Sequence, residues 1–212
     1  MTNLARLMCF VIFATSIAAL AAQAIVSDRL IGAGSLPQLL WVMAAYFTVL
    51  TNLIVMVSFG LMMATGRVFS AGPIFSAGWQ GGLVLWIGMV GLIYHTVLAG
   101  IWAPQGLGWW ADQGLHTAVP MLVGVWWLGF APKSPLDVWH PLRWVGVPLL
   151  YCVYALLRGQ MTGTYPYPFI DMGLLGPGRT AVNVVVLALG FILAGYGLLL
   201  LARILPAQAN PS

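Results

Sequence analysis

Polar side chains are scarce in this chain, and the few with chemical potential fall into three groups. Tyr46, Thr48, Thr51, Asn52 and Ser58 interrupt one apolar stretch. His95 lies beside Tyr94 and Thr96 in a second, and Asp112 and His116 lie in a third, followed by Thr117 and Pro120. Thr48 and Asn52 are four residues apart, as are Asp112 and His116, so each pair shares one face if its segment is helical. A threonine hydroxyl is a weak nucleophile at its ordinary pKa and needs an adjacent base to take its proton. His116 could be that base, and Asp112, one turn earlier, could orient its ring and stabilise the imidazolium. Asn52, or hydroxyl and amide donors from the Tyr- and Pro-rich stretch near residue 165, could hold a developing oxyanion.

Each group also has a plainer reading. Threonines in apolar helices commonly bond back to a carbonyl or bridge two helices. A single histidine there can serve as a helix–helix tie, and an aspartate near a helix start can cap it and complement its dipole. His140, before Pro141, reads as a solvated loop residue.

The elements that must position these groups follow from composition. The chain has 212 residues, 61% hydrophobic and 6% charged, with mean hydropathy +0.97. Soluble domains carry roughly 25% charged residues, so a soluble enzyme, a disordered tail and a disulfide-stapled secreted module are all excluded. The +4 net charge then reports membrane topology, not a nucleic-acid footprint. A span needs about 20 apolar residues. Six segments qualify, at about 5–26, 38–64, 80–102, 111–130, 142–158 and 179–204. The fold expected is all-α, a polytopic membrane protein whose residues 1–212 form one six-helix transmembrane domain.

Other features bear on this division. All tryptophans but Trp86 fall near segment ends, where an amphipathic ring suits the headgroup region; Trp102, Trp126, Trp127 and Trp144 belong to that set. Arg6, Arg67, Lys133, Arg143 and Arg203 fall on one side of the six-span scheme and Arg29, Arg158 and Arg179 on the other, which places both termini in the cytoplasm. Arg6, the apolar run and Ala22-Gln23-Ala24 have the outline of a signal peptide, but the run is long enough to span and is read as the first helix. Cys9 and Cys152 lie in apolar runs, so a disulfide is not expected.

The stretch Gly159–Phe169, with Tyr165-Pro166-Tyr167-Pro168 at its centre, cannot be continuous helix because each proline drives its predecessor toward extended geometry. Backbone this apolar and irregular is expected to lie against protein or to line a cavity. Helix rise puts Thr48 roughly 15 Å below the outer start of the second segment. The same rise puts His95 about 10 Å and His116 about 6–8 Å into theirs. Contact between Thr48 and His116 therefore needs a tilt or a kink.

Tyr46-Phe47-Thr48, Gly114-Leu115-His116-Thr117 with Pro120, and Thr162-Gly163…Tyr167-Pro168-Phe169, in that order and with six spans, resemble the androgen-induced-protein family. The family includes the androgen-dependent regulator of tissue factor pathway inhibitor and small six-helix bacterial relatives. The resemblance covers about residues 40–180. It implies a membrane threonine hydrolase of fatty-acid esters of hydroxy fatty acids, with Thr48 as nucleophile and His116 as base. Thr51, one turn from Thr48, is the alternative nucleophile. Asp112 and the tandem Tyr-Pro differ from the animal pattern, which bears on the substrate more than on the pair. Asp112, Asn52, His95, Tyr165 and Tyr167 are the supporting candidates. No cofactor or metal is called for, and the partners expected are the bilayer and an acyl-chain lipid ester. Short loops and the absence of a glycosylation sequon point to a bacterial inner membrane. Two other functions fit the same residues: a non-catalytic lipid-binding or scaffold protein, and a haem protein using His95 and His116 as axial ligands.

Overall fold

The computed structural model describes residues 2–32, 34–68, 72–101 and 103–205; Trp102 lies outside them. Within these residues the protein is all helix and turn, with no strand. Helix α1 spans Asn3–Ile31, α2 Leu36–Met43 and α3 Phe47–Thr65. Helix α4, Ala77–Ile93, runs on into a π-helical turn, Tyr94–Leu98. Helix α5, Leu107–Gln113, passes through a second π-helical turn, Gly114–Ala118, into α6, Val119–Gly129. Helix α7 is His140–Trp144, α8 Gly146–Thr162 and α9 Met172–Ile204.

Four stretches among the described residues, Asn3–Ile31, Phe47–Thr65, Ala77–Leu98 and Met172–Ile204, are long and apolar enough to cross a membrane. Their outer faces carry large bare side chains such as Leu61, Leu92, Leu193 and Leu200. Apolar surface of that extent is stable only against lipid or another protein.

The boundaries differ from the sequence expectation in three places. The segment expected as one helix over 38–64 is two, broken at Ala44–Tyr46, where Tyr46 takes extended dihedrals (φ −100°, ψ 127°). The break frees carbonyls that a continuous helix would have paired. Helix α8 supplies their partners: Tyr151 donates to the Ala45 carbonyl over 2.7 Å, and the Arg158 guanidinium donates to the Trp41 carbonyl. Helix α8 reaches further than expected, so the irregular stretch expected from Gly159 begins at Gly163. Helix α9 starts at Met172 but is interrupted at Gly176 (φ 72°, ψ 164°), before Pro177, and its long regular part begins close to the expected residue 179. The third difference is the π-helical turn at Gly114–Ala118. Pro120 has no N–H to return to the His116 carbonyl four residues back, so the ladder slips by one there.

Helix α1 belongs to the core. Cys9 and Ile12 are fully buried, and the Phe13 ring packs where a side chain at Gly60 would stand (2.8 Å from its Cβ position). At the end of the bundle opposite Thr48, tryptophans act as tie-bars instead of a belt. Trp126 and Trp127 are 1% exposed and Trp144 is 4% exposed. Trp126 donates to Gln80 Oε1, Trp86 to the Trp144 carbonyl, and Trp144 to the Gly78 carbonyl. A buried indole needs a partner for its N–H, and these bonds provide one for Trp86, Trp126 and Trp144, whereas Trp127 Nε1 has none among the described residues. Cys9 and Cys152 are both free thiols.

Candidate functional site

The break before α3 changes what Thr48 is. Instead of lying mid-helix, it is the second residue of α3, where backbone N–H groups have no carbonyl to bond. Its hydroxyl is 3.3 Å from His116 Nε2. That is the long end of hydrogen-bond range. Thr51, the alternative, is turned away: its hydroxyl donates back to the Phe47 carbonyl over 2.8 Å. Thr51 has the plainer role and Thr48 the reactive geometry.

His116 is fixed from three directions. Its Nδ1 is 3.1 Å from Asp112 Oδ1 and 3.1 Å from the Asp112 main-chain oxygen. Both are acceptors, so Nδ1 carries the proton and Nε2 is left free to accept one from Thr48. The Tyr94 ring stacks on the imidazole with centroids 4.0 Å apart and planes 14° from parallel. The Tyr94 hydroxyl donates to Asp112 Oδ2. Asp112 is 6% exposed, and a carboxylate so placed, stripped of partners, would cost several kcal/mol. Here each oxygen has one.

Tyr167, from the irregular stretch, completes the cluster. Its hydroxyl lies 3.4 Å from both the Thr48 amide nitrogen and the Thr48 hydroxyl. The Thr48 N–H donates to it, and with the Thr48 proton directed at His116 the phenol O–H donates to Thr48 Oγ1. Burial pushes the Tyr167 phenol above its ordinary value, so it stays protonated and able to donate.

The other supporting candidates are not assembled this way. Tyr165 packs against Gly159, where a Cβ would fall 2.1 Å from its ring, and it serves the loop, not the site. Asn52 uses its amide donors on the Thr48 and Leu115 carbonyls, at 2.8 and 3.2 Å. It cannot also stabilise an oxyanion. Its Oδ1 is a buried acceptor with no partner among the described residues. His95 is exposed and pairs with Thr117 Oγ1 at 3.0 Å. The His116 nitrogens face Thr48 and Asp112, and His95 Nε2 faces Thr117. Among the described residues no three His, Cys, Asp or Glu gather as metal ligands. Tyr94 is the member of the cluster that the sequence reading did not single out. Its signal was there, in a phenol on the helical stretch immediately before the one that carries Asp112.

A narrow cleft opens in front of the Thr48–His116 pair. Its polar wall is Thr48, His116, Tyr94, Tyr151 and Tyr167; the remainder is aliphatic or aromatic side chains and the Cys152 thiol, drawn from α4, α8, α9 and the Phe169–Ile170 turn. That lining, mostly apolar with a few convergent polar groups, is the chemistry of a site for an apolar ligand. No family model, curated protein or solved structure matches the chain.

Proposed function

We propose that the protein is a six-span intramembrane threonine hydrolase that cleaves lipid esters such as fatty-acid esters of hydroxy fatty acids. The observation that carries this reading is a hydroxyl, an imidazole and a carboxylate in series, Thr48–His116–Asp112, on the wall of an apolar cleft. The six spans would be α1, α3 with α2 at its outer end, α4, α5–α6, α7–α8 and α9. The five-to-three division of basic residues places both termini in the cytoplasm and the cleft in the outer half of a bacterial inner membrane. Two of those residues, Lys133 and Arg158, are buried and bond to carbonyls at helix ends, yet they keep their places at opposite ends of the bundle.

The reaction would run in two halves. His116 Nε2 takes the Thr48 proton as Oγ1 adds to the ester carbonyl, and the imidazolium is held by Asp112. The carbonyl oxygen becomes an oxyanion beside Oγ1, where the Tyr167 hydroxyl can donate to it. Collapse breaks the bond to the alcohol, which leaves with the proton from Nε2. Water, deprotonated by the same nitrogen, then attacks the acyl-threonine and releases the acid and the restored hydroxyl. Preorganised donors of this kind contribute about 3–4 kcal/mol each to such steps.

A non-catalytic lipid carrier would account for the apolar cleft but not for a buried carboxylate aligned on an imidazole that faces a hydroxyl. The decisive measurement is labelling of detergent-purified protein with a fluorophosphonate probe, alongside ester turnover. Wild type should label and Thr48→Ala should not, with turnover lowered on the order of 10³-fold or more. Equal labelling and turnover in both would end the hydrolase reading. Loss of thermal stability without loss of turnover in Thr48→Val would instead favour a purely structural threonine.

A further inference from the structure

The cleft is closed at one end. Val90 on α4, Val145 before α8 and Phe191 on α9 are 6%, 7% and 3% exposed. Leu98, Leu149 and Val184, on the same three sides of the cleft, are half-buried or exposed. The closed end is level across the helices. A Cβ at Gly190 would sit 3.8 Å from Met89 Cε, which sets Phe191 beside Val90. The Phe191 ring is held edge-on to Phe47, the residue before Thr48, with centroids 6.2 Å apart. From Tyr94, which covers His116, to Val90 is one helical turn, or about 6 Å. An arm this short is walled in on the inner side of the reacting atoms, while the opposite arm opens toward lipid.

We propose that Phe191 is the floor of an acyl pocket and that it limits the acyl half of the substrate to a short chain, the larger alcohol half lying in the open arm. This narrows the lipid esters proposed above to those with a short acyl group in place of a long fatty-acyl one. The proposal rests on the hydrolase reading for the bond that is cut, but the length limit also applies to binding alone. A close-packed floor discriminates because each methylene beyond it must displace protein atoms. One methylene more or less in an apolar pocket changes selectivity by about tenfold or more. Replacing Phe191 by alanine opens the floor. Replacing Ala188, one turn outward on the same wall, by leucine narrows the pocket.

The test is a series of p-nitrophenyl acetate, butyrate, octanoate and palmitate, with thermal shifts by the corresponding free acids measured in parallel. Wild type should favour butyrate over palmitate by at least about tenfold in kcat/KM. Phe191→Ala should move that optimum to octanoate or beyond, and Ala188→Leu should move it toward acetate. The acids should shift the melting temperature in the same order. A length profile that is flat, or unchanged in both variants, overturns the proposal even if every ester is cleaved. If no ester is cleaved but the acid-induced shifts follow chain length and move in the variants, the pocket stands and the hydrolase reading falls. If neither turnover nor melting responds to chain length, the pocket is overturned. Should Phe191→Ala fail to fold, the Ala188→Leu profile decides alone.

Discussion

At the scale of single residues, the site is a chain of hydrogen bonds in which each member has one task. Tyr94 and His116 satisfy the two oxygens of Asp112, Asp112 fixes the His116 tautomer, and His116 faces Thr48. Asp112→Asn would leave the packing nearly unchanged but could present its amide N–H to Nδ1, reversing the tautomer. Ester turnover is expected to fall on the order of 10⁴-fold, with the melting temperature within a few degrees of wild type. Turnover within tenfold of wild type would show that Asp112 only caps its helix. Tyr94→Phe keeps the ring over His116 and removes one donor from a buried carboxylate, a change of about 1–3 kcal/mol. It should lower the melting temperature and shift the pH profile of kcat, whereas a Tyr94 with a packing role alone would leave the profile in place.

At the scale of elements, the site depends on two departures from regular helix. One is the break at Ala44–Tyr46, which turns the expected mid-helix Thr48 into a helix-start residue. The other is the π-helical turn over Gly114–Ala118, which re-aims His116. That turn lies hard against α1, and a Cβ on Gly114 would meet the Ala19 Cβ at 2.6 Å. Gly114→Ala should therefore push the turn off α1 and cost about 1–3 kcal/mol. Because His116 is two residues on, turnover should drop more than stability would account for. Paired measurements of melting temperature and kcat/KM on Gly114→Ala and on Gly124→Ala, where a Cβ meets nothing within 4 Å, would reveal the difference. Equal effects would separate the π-helical turn from catalysis.

At the scale of the whole molecule, the prediction is orientation. With both termini cytoplasmic, the α5 start carrying Trp110, 68% exposed, faces the periplasm. The Asp137–His140–Arg143 cluster, with Asp137 and Arg143 exposed, then faces the cytoplasm. Single cysteines introduced at Gln105 and at Ser134 should react with a membrane-impermeant maleimide on whole cells at the first position only. The reverse pattern would invert the topology and move the cleft to the inner leaflet. Intact mass should retain the first 31 residues, since Cys9 and Ile12 are interior to the bundle and their loss would open the core.

The amino-acid sequence by itself determined the class of the protein and its short roster of reactive groups. A chain with four acids and eight basic residues cannot cover a globule with charge, so its helices must face lipid, and any polar group left inside stands out. Thr48, Asp112 and His116 were legible for that reason, and Pro120 carried a readable signal for the slipped ladder at His116. What periodicity could not show was the break at Ala44–Tyr46, because Ala44-Ala45-Tyr46 contains no glycine or proline and reads as helix. Its freed carbonyls find Tyr151 and Arg158, more than 100 residues downstream. Only the packing of α8 against that point makes the interruption stable, and only then does Thr48 come within reach of His116. The division between Tyr167, at the site, and Tyr165, against Gly159, was likewise a tertiary decision. Two tyrosines in the same Tyr-Pro repeat have the same local chemistry, and the neighbour each one meets assigns its role.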